Sequence, residues 1–157
     1  MSLSNLKACD VGGVQLDLPY LKAFKASDSR AGSSNSAITA WDSAVGGLAG
    51  EFNVSNGFFT PVVSGVYQIM GNYVFNAGAG SAGACIFRFA VAGGASVVAT
   101  SNVGFIAGEN AMTVSGCAVL NAGTYYYLTS YQTVGAPLAL TDVDLYVVLL
   151  SKVEVGV

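Results

Sequence analysis

The sequence predicts an all-β protein built as a two-sheet antiparallel sandwich, and three observations carry that prediction. Short runs rich in β-branched and aromatic residues recur along nearly the whole chain, each bounded by turn residues. No segment shows the 3.6-residue periodicity of an amphipathic helix. The length of 157 residues gives one domain a sizeable core and is too short for two comfortable ones.

In chain order, strands are expected near Leu21 to Ala26, Ala37 to Ala40, Phe58 to Val62, Gly65 to Phe75 and Ala84 to Ala92. Others are expected near Val97 to Val103, Met112 to Leu120, Thr124 to Gln132 and Val143 to Lys152. The separators have physical reasons of their own. Asn56-Gly57 tolerates positive φ between two apolar runs and marks a hairpin. Asn76 to Gly83 and Gly93-Gly94 are too glycine-rich to hold a packed strand. Ser27 to Ser36, with five serines and one glycine, reads as a surface loop. Residues 1–19 contain Gly12-Gly13 and end at Pro19, so they are expected to form an N-terminal arm that docks on a neighbour, and residues 20–157 the domain itself. No internal repeat, Gly-X-Y tract or heptad pattern is visible.

Composition sets the partners. Charged residues make up 10% of the chain and hydrophobic ones 53%, so a solitary subunit would struggle to cover itself with polar side chains, and contact with further copies is expected. The apolar runs are cut every few residues by glycine, serine or asparagine, so none spans a bilayer as a helix, and no membrane partner is expected. With six basic residues, a net charge of −3 and a pI near 4.5, no phosphate-binding surface is expected, nor nucleic acid as a partner. The start of the chain, with Lys7, Asp10 and Asp17, lacks the apolar core of a secretory signal, so export by that route is not expected. Cys9, Cys85 and Cys117 are odd in number and widely spaced, which argues for assembly in a reducing compartment and for cysteines acting as small buried hydrophobes.

Alternation assigns faces. From Gly65 onward, Tyr67, Ile69, Gly71, Tyr73 and Phe75 fall on one side of an extended strand, facing the space between sheets. Gln68, Met70, Asn72 and Val74 fall on the other. In Tyr125-Tyr126-Tyr127, neighbouring residues must point to opposite faces, so both faces of that strand are aromatic.

Two segments carry a resemblance. In Phe52-Asn53-Val54-Ser55-Asn56-Gly57-Phe58-Phe59-Thr60-Pro61-Val62-Val63-Ser64-Gly65-Val66-Tyr67-Gln68-Ile69, the residues Phe52, Gly57, Phe59, Thr60, Gly65, Val66 and Tyr67 stand at the spacing of one family's central signature. In Leu120-Asn121-Ala122-Gly123-Thr124-Tyr125-Tyr126-Tyr127-Leu128, the residues Leu120, Gly123 and Leu128 match that family's second motif, and an apolar strand, Val143 to Leu150, closes the chain as expected. The chain thus resembles the complement globular-head and tumour-necrosis-factor-like family over roughly Leu21 to Lys152. It departs at Pro61-Val62, where the family has Cys-Pro, at Thr124, where it has aspartate, and in a final strand without the family's internal glycine. Charge-poor and free of histidine, it looks most like the versions on phage virions and bacterial spore surfaces.

The resemblance implies a jelly-roll sandwich assembling as a homotrimer. Phe59, Gly65, Tyr67, Ile69, Tyr126 and Leu128 would build the sandwich core. Tyr125 and Tyr127 would then project from the inner sheet, and Met70, Tyr125, Tyr127 and Tyr146 would line a threefold axis, since tyrosine buries large area while keeping a polar tip.

Catalytic chemistry is sparse. With no histidine, Ser-His-Asp and Cys-His nucleophiles and imidazole metal sites are excluded. The acids are scattered except for Asp142 and Asp144, a weak calcium candidate set against the plainer reading of a solvated loop before the last strand. Gly78 to Gly80 lacks the following helix and the basic residue of a phosphate loop. No enzyme activity, cofactor or metal is expected. The expected role is a virion structural protein, a capsid cement or decoration trimer or a fibre head, assembled in the host cytoplasm and attached at the virion surface to the major capsid protein or another virion component. The alternative is a receptor- or glycan-binding head of a phage fibre or spore-surface filament, using the loops Ser27 to Ser36, Asn76 to Gly83 and Phe105 to Asn110.

Overall fold

A computed structural model describes residues 6–7, 17–30, 36–77, 83–93, 96–105, 108–133 and 137–153. The strands are β1 (Leu6–Lys7), β2 (Asp17–Leu18), β3 (Tyr20–Arg30), β4 (Ser36–Ala37), β5 (Ser43–Val45), β6 (Phe52–Asn53), β7 (Phe58–Phe59), β8 (Gly65–Ala77), β9 (Gly83–Val91), β10 (Val97–Phe105), β11 (Gly108–Leu120), β12 (Tyr126–Gln132) and β13 (Leu138–Lys152). Among the described residues a single 3-10 turn, Ala49–Glu51, interrupts them. One sheet has the order β11-β8-β13-β3-β5 and the other β10-β9-β12-β7-β6, with β4 also paired to β12. All pairings are antiparallel, so the expected two-sheet jelly-roll sandwich is the fold. β1 and β2 form a separate ladder, and the chain joins the first sheet at Pro19, whose carbonyl accepts the Leu149 N–H at 3.0 Å.

The core fills by alternation. Tyr67, Ile69, Tyr73 and Phe75 of β8 are all but fully buried, facing Phe87 and Phe89 of β9 and Tyr126 and Leu128 of β12 across the sandwich. Phe59 of β7 packs edge-on to Tyr67 at 5.9 Å between centroids, and Tyr126 stacks on Phe89. Gly71 matters because a Cβ there would press on the Phe87 ring and on Val114, both at 3.1 Å. Its absence lets Phe87 meet Tyr73 edge-on at 4.4 Å. Gly65 is buried as well, under the backbone of Ser151.

Several expectations are corrected. Ser27 to Arg30 is strand, because it pairs with Leu138 to Thr141, and serine content does not prevent backbone pairing. Phe105 and Gly108 to Asn110 likewise belong to β10 and β11, and Asn76, Ala77 and Gly83 to β8 and β9, so the expected recognition loops shrink to segments outside the described residues. The final strand begins at Leu138, not Val143, which places Asp142 inside it at a bulge with φ of 51°. The expected strand over Ala37 to Ala40 breaks off because Ala40 takes φ of 52°, and that over Phe58 to Val62 stops at Phe59 ahead of Pro61. Cys117 is exposed, whereas Cys85 is buried; Cys9 and Gly78 to Gly80 lie outside the described residues.

Candidate functional site

The sandwich has two outward faces, and the residues singled out from sequence divide between them. Met70 of β8 and Tyr146 of β13 lie directly opposite each other on the first sheet. Tyr127 of β12, and Tyr125 just before that strand, belong to the second. The expectation that all four line one axis is therefore corrected: each of them points outward, but from opposite sheets. Alternation settles in or out along a strand and carries no information about which sheet the strand joins.

On the first sheet, Ser115, Met70, Tyr146, Lys22 and Val45 form one continuous cross-strand row. Met70 is 38% exposed and Val45 52%, and Val119, near the end of β11, is 55% exposed. Lys22 lies 5.3 Å from the centre of the Tyr146 ring, and its hydrogen bond with the tyrosine raises its pKa. One row away, Thr113 donates to Asn72 at 2.8 Å, and Asn72 stands opposite Asp144. Partial burial raises the Asp144 pKa, with Lys22 opposing the shift and Asp142 adding to it. Asp142 and Asp144, two residues apart, share a face, and the bulge at Asp142 makes it the outward one. They gather no third histidine, cysteine or acidic group among the described residues.

Charge is distributed unevenly over the fold. From Phe52 to Thr141, Arg88 and Glu109 are the only charged residues. That stretch contains β10, which has none, and β11, which has Glu109 alone; each ends its sheet, and the two lie against each other along one border of the sandwich. An edge strand of 13 residues with no proline and a single charge is one that a soluble protein ordinarily covers.

The second outward face is aromatic. Phe58 of β7 sits 5.7 Å from Tyr125 and 5.5 Å from Tyr127 between ring centres, and Tyr125 is 54% exposed. Beneath and beside these rings, Ala90 and Thr129 are buried although both belong to the outward side. Phe58 also borders an open cleft of about 440 Å³, lined by Gly50, Glu51, Phe52, Asn53, Val54, Phe58, Thr60 and Val62. The cleft is built by the β6-β7 hairpin. Its turn is closed by Gly57 N–H donating to the Asn53 carbonyl at 2.8 Å, and the Glu51 carboxylate accepts the Val62 N–H at 3.1 Å. Gly57 takes φ of 74°, and a Cβ there would strike the Ile38 carbonyl and the Trp41 indole nitrogen. Burial pushes the Glu51 pKa up, against the pull of the Val62 hydrogen bond. Sequence reasoning passed over Glu51 and Phe58 as site residues; the signal available was the hairpin dipeptide between two aromatic runs.

No family model matches the chain, and no curated protein matches it in sequence. Solved structures do share its fold. It is similar to the Eiger tumour necrosis factor of S. frugiperda, at 13% identity and a TM-score of 0.61, covering 88% of this chain and 98% of that one. The globular domain of zebrafish complement 1qA gives 16% identity and a TM-score of 0.55, covering 86% and 99%. Murine APRIL at pH 5.0 gives 12% and 0.60, covering 85% and 99%. These likenesses establish the tumour-necrosis-factor-like jelly-roll fold.

Proposed function

We propose that the chain is a non-enzymatic structural subunit that associates with copies of itself, as a trimer, through the first outward face and the β10-β11 border. The observation that carries this reading is the long, nearly charge-free border next to a face bearing Met70, Tyr146 and Val119. A border meeting a face is a heterologous contact, which closes into a ring when the rotation permits. Closure also removes the exposed strand edge. The absence of histidine and the scatter of acids over the sequence support a role in assembly over one in turnover.

The setting proposed for that assembly is a virion, with the trimer acting as a capsid cement or decoration protein or as the head of a fibre. The low charge and the residues preceding the domain support it, since several arms gripping a lattice together make modest contacts cumulatively strong. Analytical ultracentrifugation of the purified chain tests the assembly: three copies are expected, and a monomer at roughly tens of micromolar protein would overturn it. Antibody raised against the chain should decorate intact particles; failure to label any particle surface would remove the virion setting while leaving the trimer standing.

A further inference from the structure

We infer that the cleft of the β6-β7 hairpin, with the neighbouring aromatic cluster, is a saccharide-binding site. It lies on the sheet opposite the proposed association face, so it goes beyond the structural role and does not depend on it.

The chemistry of the lining selects the ligand class. Glu51 offers carboxylate oxygen as acceptor while one of its oxygens is held by the Val62 N–H. Asn53 uses its side-chain oxygen on the backbone N–H groups of Ser55 and Asn56, at 3.0 and 3.3 Å, which fixes the amide and leaves its NH2 group to donate. Thr60 adds a hydroxyl that can do either. An acceptor, a donor and a hydroxyl within one hairpin are what neighbouring hydroxyls of a sugar require. Against them stand Val54, Val62 and the Phe58 ring, continuous with Tyr125 and Tyr127. A pyranose has the same division, with a C–H face for an aromatic shelf and a rim of hydroxyls for polar groups. Among the described residues no basic side chain lines the cleft, so anionic groups such as phosphate have no counter-charge from them. The volume of about 440 Å³ suits a ligand of one or two rings.

The test uses four neutral disaccharides, maltose, cellobiose, lactose and chitobiose, titrated calorimetrically into the full chain. Trp41, the single tryptophan, packs edge-on to the cleft residue Phe52 at 5.5 Å and supplies a second readout by fluorescence. At least one sugar should saturate with a dissociation constant of about 1 mM or below. Glu51→Gln and, separately, the surface variant Tyr125→Ala should each weaken it about tenfold with circular dichroism unchanged. Choline, a probe for a cation site built on the same rings and carboxylate, should not compete. Lack of saturation by all four sugars, displacement by choline, or undiminished binding in both variants would overturn the assignment.

Discussion

The two outward faces of this sandwich are made from the same kind of strand, yet they are finished differently. The first presents Met70, Tyr146 and Val119 as separate apolar points among small polar side chains, on long strands that pair over most or all of their length. The second concentrates its aromatic area in one cluster, Phe58, Tyr125 and Tyr127, beside a short hairpin that leaves a cleft. A broad surface with dispersed apolar points suits another protein surface, whereas a rigid aromatic shelf beside a recess suits a small ligand. The difference follows from strand length: β8, β11 and β13 run 13 to 15 residues, while β6 and β7 run two each.

The largest effect expected from that contrast is on assembly. Met70→Asp places a charge at the centre of the first face and should convert the oligomer to monomer in sedimentation velocity, a loss of about 3 kcal/mol or more of association free energy. Tyr127→Asp, on the second face, should leave the sedimentation coefficient unchanged. If the aspartate at Tyr127 dissociates the oligomer and the one at Met70 does not, the faces have been assigned the wrong way round.

Next comes the hairpin. Gly57→Ala must either hold alanine at a φ of 74° or shift the backbone away from Ile38 and Trp41, and the Trp41 indole N–H bond to the Ile38 carbonyl at 2.9 Å would be lost in the shift. A destabilisation of about 2 kcal/mol in urea unfolding is expected, with altered tryptophan emission and an intact oligomer. Unchanged emission would show that the turn tolerates the methyl group and that the cleft does not rest on this glycine.

How far these faces were legible in the sequence depends on the kind of information each needed. Period-two alternation along a single strand correctly separated Tyr67 and Ile69 from Met70, and Tyr126 from Tyr125 and Tyr127, since it is a local property of an extended chain. Sheet membership is not local. Tyr146 and Tyr127 come from strands that are neighbours in the chain and lie in opposite sheets, and nothing in either segment says so. Short edge elements were missed for a related reason: β5 and β6, at three and two residues, fall below the length at which a pattern can be read. Ser27 to Arg30 reads as a loop from its polar composition, although β13 supplies it with a full pairing partner. Of the cleft only the hairpin dipeptide Asn56-Gly57 is legible in the sequence, because the cleft joins Glu51 to Val62 through a hydrogen bond from a backbone N–H to a side-chain carboxylate.

A smaller effect should appear where the second face covers itself. Thr129 is 2% exposed, stands opposite Ala37 and Arg88, and its hydroxyl has no hydrogen-bond partner among the described residues. Thr129→Val replaces that desolvated hydroxyl by a methyl of similar size, so a gain of about 1 kcal/mol is expected from denaturant midpoints. A loss of stability would mean that the hydroxyl is satisfied in solution and that its surroundings are looser than its burial implies.

The smallest effect is a dependence on pH, and it separates the cleft from the rest of the surface. Burial raises the folded-state pKa of Glu51 above the ordinary carboxylate value of 4.5. A carboxyl so raised binds its proton more readily in the folded than in the unfolded chain, so its favourable contribution is complete below the unfolded value and is lost as pH rises through the folded one. At neutral pH the ionised, partly desolvated Glu51 is therefore a small cost to folding. Glu51→Gln removes the charge and keeps a side-chain oxygen for the Val62 N–H, so it should raise the melting temperature slightly at pH 7. The advantage should shrink toward zero as the pH falls below about 4.5, where the wild-type side chain is itself neutral. Asp144, on the first face, is raised by burial in the same sense but has Lys22 opposing the shift, so Asp144→Asn forfeits an attraction as it relieves a desolvation. Melting curves of the two variants between pH 4 and pH 7, about a thousandfold in proton activity, should therefore diverge, with Glu51→Gln gaining more on approach to neutrality. Parallel curves would show that solvent reaches both carboxylates alike and that the cleft does not desolvate its acid.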